Sequence, residues 1–196
     1  MDDYRWDLFI SYRRRGPAER WVQRLLYEEI VNWLPGEMSR DPAIFIDTSA
    51  ISVGTQWSPE LEAAIRTSRC MLCVWSPEYF RSSWCKAEWE SMVAREDEEA
   101  ATRGARPRII YPLLFQDGDH LPQDARAAQW RDMKAWSSMH PELLRTARGQ
   151  AFTEEVQRIC QELSAMIAAA PPFRADFPFK APTPAPVPPV ALPRLS

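Results

Sequence analysis

The sequence predicts an α/β fold in which a parallel β-sheet is covered by helices on both faces. Short apolar segments alternate along the chain with segments whose apolar residues recur every three or four positions. One of the short segments, residues 70–75, is apolar without interruption. A strand of this kind is typical of the middle of a parallel sheet, where both faces are covered. The alternation of strands and helices favours right-handed crossovers between parallel strands.

In the first half of the chain, strands are predicted at residues 7–12 and 43–46, where short apolar runs end in polar residues. A helix between them begins at Gly16 and Pro17, because proline is tolerated in a first helical turn. The apolar residues of that helix recur at helical spacing and are Val22, Leu26, Ile30 and Trp33. The next helix start is predicted from a capping residue, a proline and an acidic residue, namely Ser58, Pro59 and Glu60.

In the second half, residues 70–75 form the third strand, and a helix follows over residues 84–99. A fourth strand is predicted at residues 108–115 and a short fifth strand near residues 133–136. An amphipathic helix over residues 152–168 comes last. These elements predict a flavodoxin-like fold of three layers, with a central, mostly parallel sheet of five strands. Ligands of such folds bind at the carboxyl ends of the strands.

Composition divides the chain into one domain and a tail. Residues 1–170 contain enough apolar residues to form a single globular domain. Nine of the 18 prolines of the chain lie in residues 171–196, and prolines at this density favour extended conformations over helices and central strands. We therefore expect a disordered, Pro-rich linker or tail from residue 171 onward.

Charge, apolar runs and cysteines exclude several classes of protein. A net charge of −3 does not favour nucleic acid or an anionic membrane as a direct partner. No apolar run is long enough to span a membrane, and the first residues lack the pattern of a signal peptide. A cytoplasmic protein is therefore expected. The four cysteines are too few for a disulfide framework, and Cys70 and Cys73 point to opposite faces of a strand, which favours a structural role.

No sequence motif for a cofactor or a metal is found. The chain lacks the glycine-rich patterns GxGxxG and GxxxxGKS/T, which bind dinucleotides and nucleoside triphosphates. Its two histidines, His120 and His140, are isolated from other metal ligands in the sequence. We therefore expect neither a bound cofactor nor a metal site.

The helix predicted over residues 84–99 carries the first candidate for a catalytic group. Glu88 lies four residues after Trp84, so the two side chains share one face of the helix. The core-facing stripe of this helix consists of Cys85, Trp89 and Met92. Glu88 is therefore predicted at the border of the core, and residues 96–99 in solvent. A partly buried carboxylate near a helix start is a candidate functional group, and a solvated helix carboxylate is the alternative.

Two further segments follow predicted strands. Residues 11–15, Ser-Tyr-Arg-Arg-Arg, lie where arginines could bind a phosphate or pyrophosphate, with a solvated turn as the alternative. Residues 47–56 form a loop that is longer than the usual connection of about two to six residues. Long loops of this kind are often functional.

Several of these segments together resemble a TIR (Toll/interleukin-1 receptor) domain. The likeness rests on Asp7-Leu-Phe-Ile-Ser-Tyr-Arg-Arg14, on Phe45-Ile-Asp-Thr48 with its loop to Trp57, and on residues 76–88, which end in Trp-Cys-Lys-Ala-Glu. These segments have the order and spacing of the family over about residues 4–168. The resemblance is to the bacterial branch, whose members serve anti-phage defence and immune signalling.

The resemblance implies an enzyme that cleaves NAD+ at the nicotinamide–ribose bond, giving nicotinamide and ADP-ribose or a cyclic variant. It implies that Glu88 is the catalytic residue. The residues that it implies for substrate binding are Ser11, Tyr12, Arg13, Arg14, Asp47, Trp57, Ser83 and Trp84. NAD+ is then the substrate, with no cofactor, and activation follows self-assembly with other TIR domains.

Two other functions are compatible with the sequence. Some members of the family lack the glutamate and act only as adaptors that dock other TIR domains, whereas this chain keeps Glu88. A nucleoside deoxyribosyltransferase has a similar fold and also uses a glutamate. The Ser-Tyr-Arg-Arg and Trp-Cys-x-x-Glu segments favour the TIR family over that class of enzyme.

Overall fold

The computed structural model describes residues 3–47, 59–117, 119 and 121–182, and its sheet has five strands that are all parallel. The strands are β1 (Trp6–Tyr12), β2 (Ile44–Ile46), β3 (Ser68–Trp75), β4 (Ile110–Leu114) and β5 (Arg131–Asp132). Their order across the sheet is β2-β1-β3-β4-β5. This is the strand order of flavodoxin-like folds, so the predicted fold class is confirmed.

The third strand lies at the centre of the sheet, as its uninterrupted apolar sequence predicts. Leu72 of β3 pairs with Ile10 of β1 on one side and with Tyr111 of β4 on the other. Every residue over positions 70–75 is completely buried, and this apolar burial stabilises the sheet by about 25 cal/mol per Å². All four cysteines are buried and free, which agrees with the structural role expected for Cys70 and Cys73.

The described residues form seven α-helices, which lie on both faces of the sheet. Their bounds are α1 Gly16–Trp21, α2 Tyr27–Trp33, α3 Pro59–Arg66, α4 Pro77–Arg81, α5 Ser83–Arg103, α6 Gln123–Ala127 and α7 Ala147–Ala168. A π-helical turn, Val22–Leu26, joins α1 to α2. Helix α2 packs against α7, and α3 packs against α5, which gives the two helical layers. Among the described helices, none combines the length and apolar character needed to cross a membrane.

Capping side chains fix the starts of the two longest helices. The backbone N–H of Cys85 donates to Ser82 Oγ at 3.4 Å at the start of α5. The backbone N–H of Gly149 donates to Thr146 Oγ1 at 3.2 Å at the start of α7. Each cap satisfies a donor that the first helical turn leaves unpaired. The cap at Thr146 explains why α7 begins before residue 152, where the apolar periodicity predicts its start.

The structure differs from the prediction at the fifth strand. The sequence places this strand near residues 133–136, whereas β5 is Arg131–Asp132 and Lys134–Trp136 form a 3₁₀ helix. Met133 is completely buried, and its N–H donates to the carbonyl oxygen of Leu114 at 2.8 Å. The apolar signal therefore comes from the residue that follows the strand pairing. The short helices α4 and α6 are absent from the prediction, because five residues carry no detectable periodicity.

Residues 171–180, which we call the C-terminal strap, pack against the domain. Phe177 of the strap is completely buried, and the guanidinium carbon of Arg95 lies 4.0 Å from its ring centroid. The backbone N–H of Lys180 donates to Ser91 Oγ at 2.8 Å. The sequence instead predicts a disordered tail from residue 171, and the structure differs because apolar residues between the prolines supply buried contacts. Residues 183–196, which hold five of the nine prolines of the predicted tail, lie outside the described residues.

Two carboxylates of α5 that the sequence predicts in solvent are buried. Glu96 is 8% exposed and Glu99 is 1% exposed. Glu96 accepts hydrogen bonds from the N–H of Ile109 at 2.9 Å and from Arg106 Nε at 3.0 Å. Arg174 of the C-terminal strap pairs with Glu99 at 3.4 Å. Helical periodicity could not indicate this burial, because the covering residues come from other parts of the chain.

Candidate active site

The candidate site lies at the carboxyl ends of β1 and β3, where the strand order reverses. β1 lies between β2 and β3, so the connections that leave β1 and β3 run toward opposite edges of the sheet. Such a switch point opens a crevice in which ligands of doubly wound sheets bind. Ser11 and Tyr12 end β1, and Ser76 follows β3. The first strand and the approach to α5 therefore meet at this crevice.

Two consecutive capped helices bring Glu88 to this edge. The backbone N–H of Tyr79 donates to Ser76 Oγ at 3.2 Å at the start of α4, and Ser82 caps α5 directly afterwards. The predicted core-facing residues of α5 are each 6% exposed or less and are Cys85, Trp89 and Met92. This confirmed stripe sets the rotation of the helix, and Glu88 consequently meets the end of β1.

Glu88 ends a buried row of three hydrogen-bonded side chains. Ser11 Oγ donates to Glu88 Oε2 at 2.5 Å and lies 2.7 Å from the hydroxyl oxygen of Tyr79. The exposed fractions are 5% for Glu88, 1% for Ser11 and 0% for Tyr79. Glu88 is therefore buried more deeply than the border position that the sequence predicts.

Burial raises the pKa of Glu88 from 4.5 to about 7, because an enclosed carboxylate loses the hydration that stabilises its charge. The hydrogen bond from Ser11 and the positive charge of Arg14 lower the pKa, and the negative charge of Asp47 raises it. The rise due to burial is the largest of these effects. Glu88 therefore changes its charge near neutral pH, a property that is concentrated at functional sites.

An ion pair between Arg14 and Asp47 lies at the same edge. Arg14 follows β1 and Asp47 follows β2. The hydroxyl of Tyr12 donates to the backbone carbonyl of Asp47 at 2.9 Å and accepts a hydrogen bond from Gln23 Nε2 at 2.9 Å. These bonds fix the position at which the chain leaves β2, at the first residue of the predicted functional loop.

The structure brings five of the predicted site residues together, which are Ser11, Tyr12, Arg14, Asp47 and Glu88. Tyr12 is only 3% exposed, so its side chain is enclosed by protein. Arg13, Ser83 and Trp84 lie outside this group of five; they are partly exposed and follow β1 or begin α5. Trp57 and residues 48–56 of the loop lie outside the described residues. The assignment of these residues to substrate binding stays a prediction.

Sequence reasoning missed two side chains of this site, Tyr79 and Gln23. The triplet Ser76-Pro77-Glu78 has the pattern of a helix start and could have indicated α4. A helix of five residues shows no periodicity, however, so the sequence does not predict toward which part of the fold the Tyr79 side chain points. Gln23 lies in the π-helical turn between α1 and α2, where the spacing that identifies a helical face is interrupted.

The structure also contains two clefts that could bind a ligand. A cleft of about 940 Å³ includes Trp75, Trp89 and Lys180 in its lining, and a cleft of about 440 Å³ includes Tyr111 and Glu162. Neither lining includes Glu88 or Ser11. Within the described ranges, no group of three or more His, Cys, Asp or Glu residues is placed to hold a metal ion. The candidate site is therefore identified by its chemistry and its position in the fold.

A family model described as TIR domain matches residues 8–146, more than half of the chain. The chain is similar to the TIR domain of the Toll-related receptor TRR-2 from the lower metazoan Hydra magnipapillata, at 15% identity and a TM-score of 0.45, over 78% of this chain and 98% of that one. It is also similar to the TIR domains of the activated Roq1 resistosome, at 18% identity and a TM-score of 0.37, over 82% and 84% of the two chains. No curated protein sequence gives a significant match.

Proposed function

The chain belongs to the TIR domain family, and on this premise we propose that it is an NAD+ glycohydrolase. In the proposed reaction the bond between ribose C1′ and the nicotinamide nitrogen breaks, and its electron pair leaves with nicotinamide. Water then adds to C1′ and gives up a proton, or a group of the same nucleotide closes a ring instead. The observation that carries the proposal is the buried carboxylate of Glu88, bonded to Ser11 at the switch point of the sheet.

A single carboxylate is sufficient for this reaction. Most glycoside hydrolases use two carboxyl groups, one of which protonates the leaving group. The nicotinamide of NAD+ is already a pyridinium cation, so it leaves as a neutral molecule without being protonated. Glu88 would bind the ribose and stabilise the positive charge that develops on C1′ in the transition state, an electrostatic role.

The ionised form of Glu88 is the one that this role requires. In the protein alone, burial raises the pKa of Glu88 to about 7. A positive charge within about 4–6 Å of a carboxylate favours its ionised form. The pyridinium ring of NAD+ beside Glu88 would therefore offset the effect of burial and lower that pKa. Binding of NAD+ and ionisation of the catalytic group thus favour each other.

Within the family, we place the chain in the bacterial NAD+-cleaving branch, as a cytoplasmic component of immune signalling. The support is the resemblance of the segments that end at Arg14 and at Glu88 to that branch. Activation by self-assembly with other TIR domains follows from the same resemblance. NAD+ is the substrate in this proposal, and no cofactor takes part.

A non-catalytic adaptor is the second candidate, and one observation favours it. Glu88 is only 5% exposed and its carboxylate is already bonded to Ser11, as a purely structural residue would be. In that case the surface around Asp47 and the following loop would dock other TIR domains without converting NAD+.

Nicotinamide release from NAD+ by concentrated or artificially clustered protein separates the two functions. Glu88→Gln keeps the shape of the side chain and removes its charge. The expected rate of nicotinamide release by Glu88→Gln is about 100-fold or more below that of the wild type. Losses of this size follow the removal of other groups that stabilise charge in a transition state. Glu90→Gln is the matched control, because Glu90 lies on the same helix and pairs only loosely, at 3.5 Å, with the exposed Lys86. Equal nicotinamide release by wild type and Glu88→Gln would exclude the proposed enzyme.

A further inference from the structure

We propose that Tyr79 is a positioning residue of the candidate site, whose hydroxyl fixes the hydrogen bond that Ser11 donates to Glu88. The inference rests on the proposed function, because it concerns the catalytic group of that function. It starts from the buried row in which the Tyr79 hydroxyl lies 2.7 Å from Ser11 Oγ and Ser11 Oγ lies 2.5 Å from Glu88 Oε2. Tyr79 acts through Ser11, since its hydroxyl bonds to Ser11 and not to Glu88.

The number of hydrogen atoms on these three side chains decides which of them donates each hydrogen bond. An ionised carboxylate only accepts hydrogen bonds, and a serine hydroxyl has one hydrogen to donate. When Glu88 is ionised, the hydrogen of Ser11 points to Glu88. Tyr79 must then donate its own hydrogen to Ser11, because two hydroxyl oxygens 2.7 Å apart need a hydrogen between them. Tyr79 therefore donates its hydrogen bond to Ser11, and Ser11 donates its own to Glu88.

Tyr79 is held rigidly in the place that this role requires. Its side chain is completely buried, and its ring packs edge-on against Phe80 with the centroids 5.2 Å apart. The backbone N–H of Tyr79 is bonded to the cap residue Ser76. Among the described residues, Ser11 is the only hydrogen-bond partner of the Tyr79 hydroxyl. The hydroxyl is thus directed to Ser11 by the packing around it.

The other ionisable groups near Glu88 leave this arrangement intact. They are Tyr79 on α4, Cys73 on β3, Cys85 on α5, Arg14 after β1 and Asp47 after β2. Burial raises the pKa values of the tyrosine and of both cysteines, so these three groups stay neutral. The two charged groups form an ion pair with each other. The row of hydroxyls is consequently the short-range polar support of the Glu88 charge within the described residues.

Removal of the Tyr79 hydroxyl has a specific consequence for Glu88. Hydrogen bonds in a row strengthen one another, so the bond that Ser11 donates is stronger while Ser11 also accepts one from Tyr79. In Tyr79→Phe the Ser11 hydroxyl can rotate, and the ionised form of Glu88 loses part of its support. The pKa of Glu88 then rises further, and a smaller fraction of the protein carries the charge needed near neutral pH.

The experiment compares the pH dependence of kcat/KM for wild type, Tyr79→Phe and Tyr111→Phe. Tyr111 is a matched control, because its hydroxyl also donates to a carboxylate, Glu162, at 2.9 Å, but at a different site. We expect the inflection of the Tyr79→Phe profile about half a pH unit above that of the wild type. Its kcat/KM would be about threefold lower below pH 7 and equal to the wild-type value near pH 9. The Tyr111→Phe profile should keep the wild-type inflection.

An unchanged inflection in Tyr79→Phe, or a loss of the same size at every pH, would overturn the assignment. A structural role alone would lower kcat/KM at every pH. The carboxyl ¹³C resonance of Glu88, assigned with Glu88→Gln, follows the same ionisation without any turnover. If wild-type protein released no nicotinamide, the proposed function would fail, and this titration would still decide the role of Tyr79.

A measurement on the wild-type chain keeps the test independent of the folding of any variant. The ¹³Cζ resonance of Tyr79 is expected to titrate with the same midpoint as Glu88, because the direction of the row depends on the charge of that carboxylate. A Tyr79 resonance that stays constant through the Glu88 titration would also overturn the proposal.

Discussion

Replacement of Glu88 by glutamine is expected to stabilise the folded protein at neutral and alkaline pH. In the folded state, burial raises the pKa of Glu88 from 4.5 to about 7, so between these values the folded state binds more protons than the unfolded state. Stability contributed by Glu88 is therefore fully present below pH 4.5 and is lost as the pH rises through 7. At 1.36 kcal/mol per pKa unit, the loss is about 3 kcal/mol.

The Glu88→Gln variant should not lose stability in this way as the pH rises. Its amide is neutral at every pH used, and its oxygen can still accept the hydrogen bond from Ser11 Oγ that Glu88 accepts at 2.5 Å. Relative to wild type, the free energy of unfolding of Glu88→Gln should therefore increase by about 3 kcal/mol between pH 4.5 and pH 8.5. A variant that loses activity and gains stability is the expected signature of a functional residue in an unfavourable environment.

The assay is urea-induced unfolding followed by tryptophan fluorescence, at intervals from pH 4.5 to 8.5. The quantity of interest is the difference between wild type and variant at each pH, because the titration of other groups, such as the buried Glu96, cancels in it. Glu90→Gln, in which a partly exposed glutamate of the same helix is replaced, serves as the control. A Glu88→Gln difference that stays constant across this range would refute the account of Glu88 as a buried carboxylate with a raised pKa.

Two further predictions concern the stability of the fold. Gly149→Ala should destabilise the protein by about 2 kcal/mol, because the added methyl group would overlap the backbone of Leu143 and Leu144, whereas at Gly36 it would meet nothing within 4 Å. Chemical unfolding of both variants checks this, and equal effects at the two glycines would contradict it. Phe177→Ala should cost about 3–5 kcal/mol, since the ring is completely buried over Arg95. A loss no larger than that of the exposed control Val31→Ala, by the same measurement, would show that the C-terminal strap contributes little.

The parts of this molecule that the sequence predicts are those governed by local periodicity. The uninterrupted apolar run at residues 70–75 indicates the central strand, and the spacing of Cys85, Trp89 and Met92 gives the rotation of α5. That rotation, together with the end of β1, is enough to place Glu88 near Ser11. Signals of this kind are strong because burial of a strand or of a helix face requires a fixed period.

The parts that the sequence does not predict depend on residues that meet only in the folded chain. Ser11 and Glu88 are 77 positions apart, and the choice of Tyr79 as the third member of the row is set by how α4 packs. The burial of Glu99 depends on Arg174, 75 positions later. No local pattern carries this information, because the spacing between partners follows from topology and not from helix or strand geometry.

The C-terminal strap also has a consequence for the order in which the chain folds during synthesis. Helix α5 is made early and places the guanidinium of Arg95 against the carbonyl oxygens of Ser68 and Ile65, but Phe177, which covers the same group, leaves the ribosome much later. The strap also contacts the segment before β1, where the Tyr4 hydroxyl donates to the carbonyl oxygen of Pro171 at 2.9 Å. The growing chain therefore cannot reach its final packing until the C-terminal strap has been made, and the helix that carries Glu88 stays partly uncovered until then.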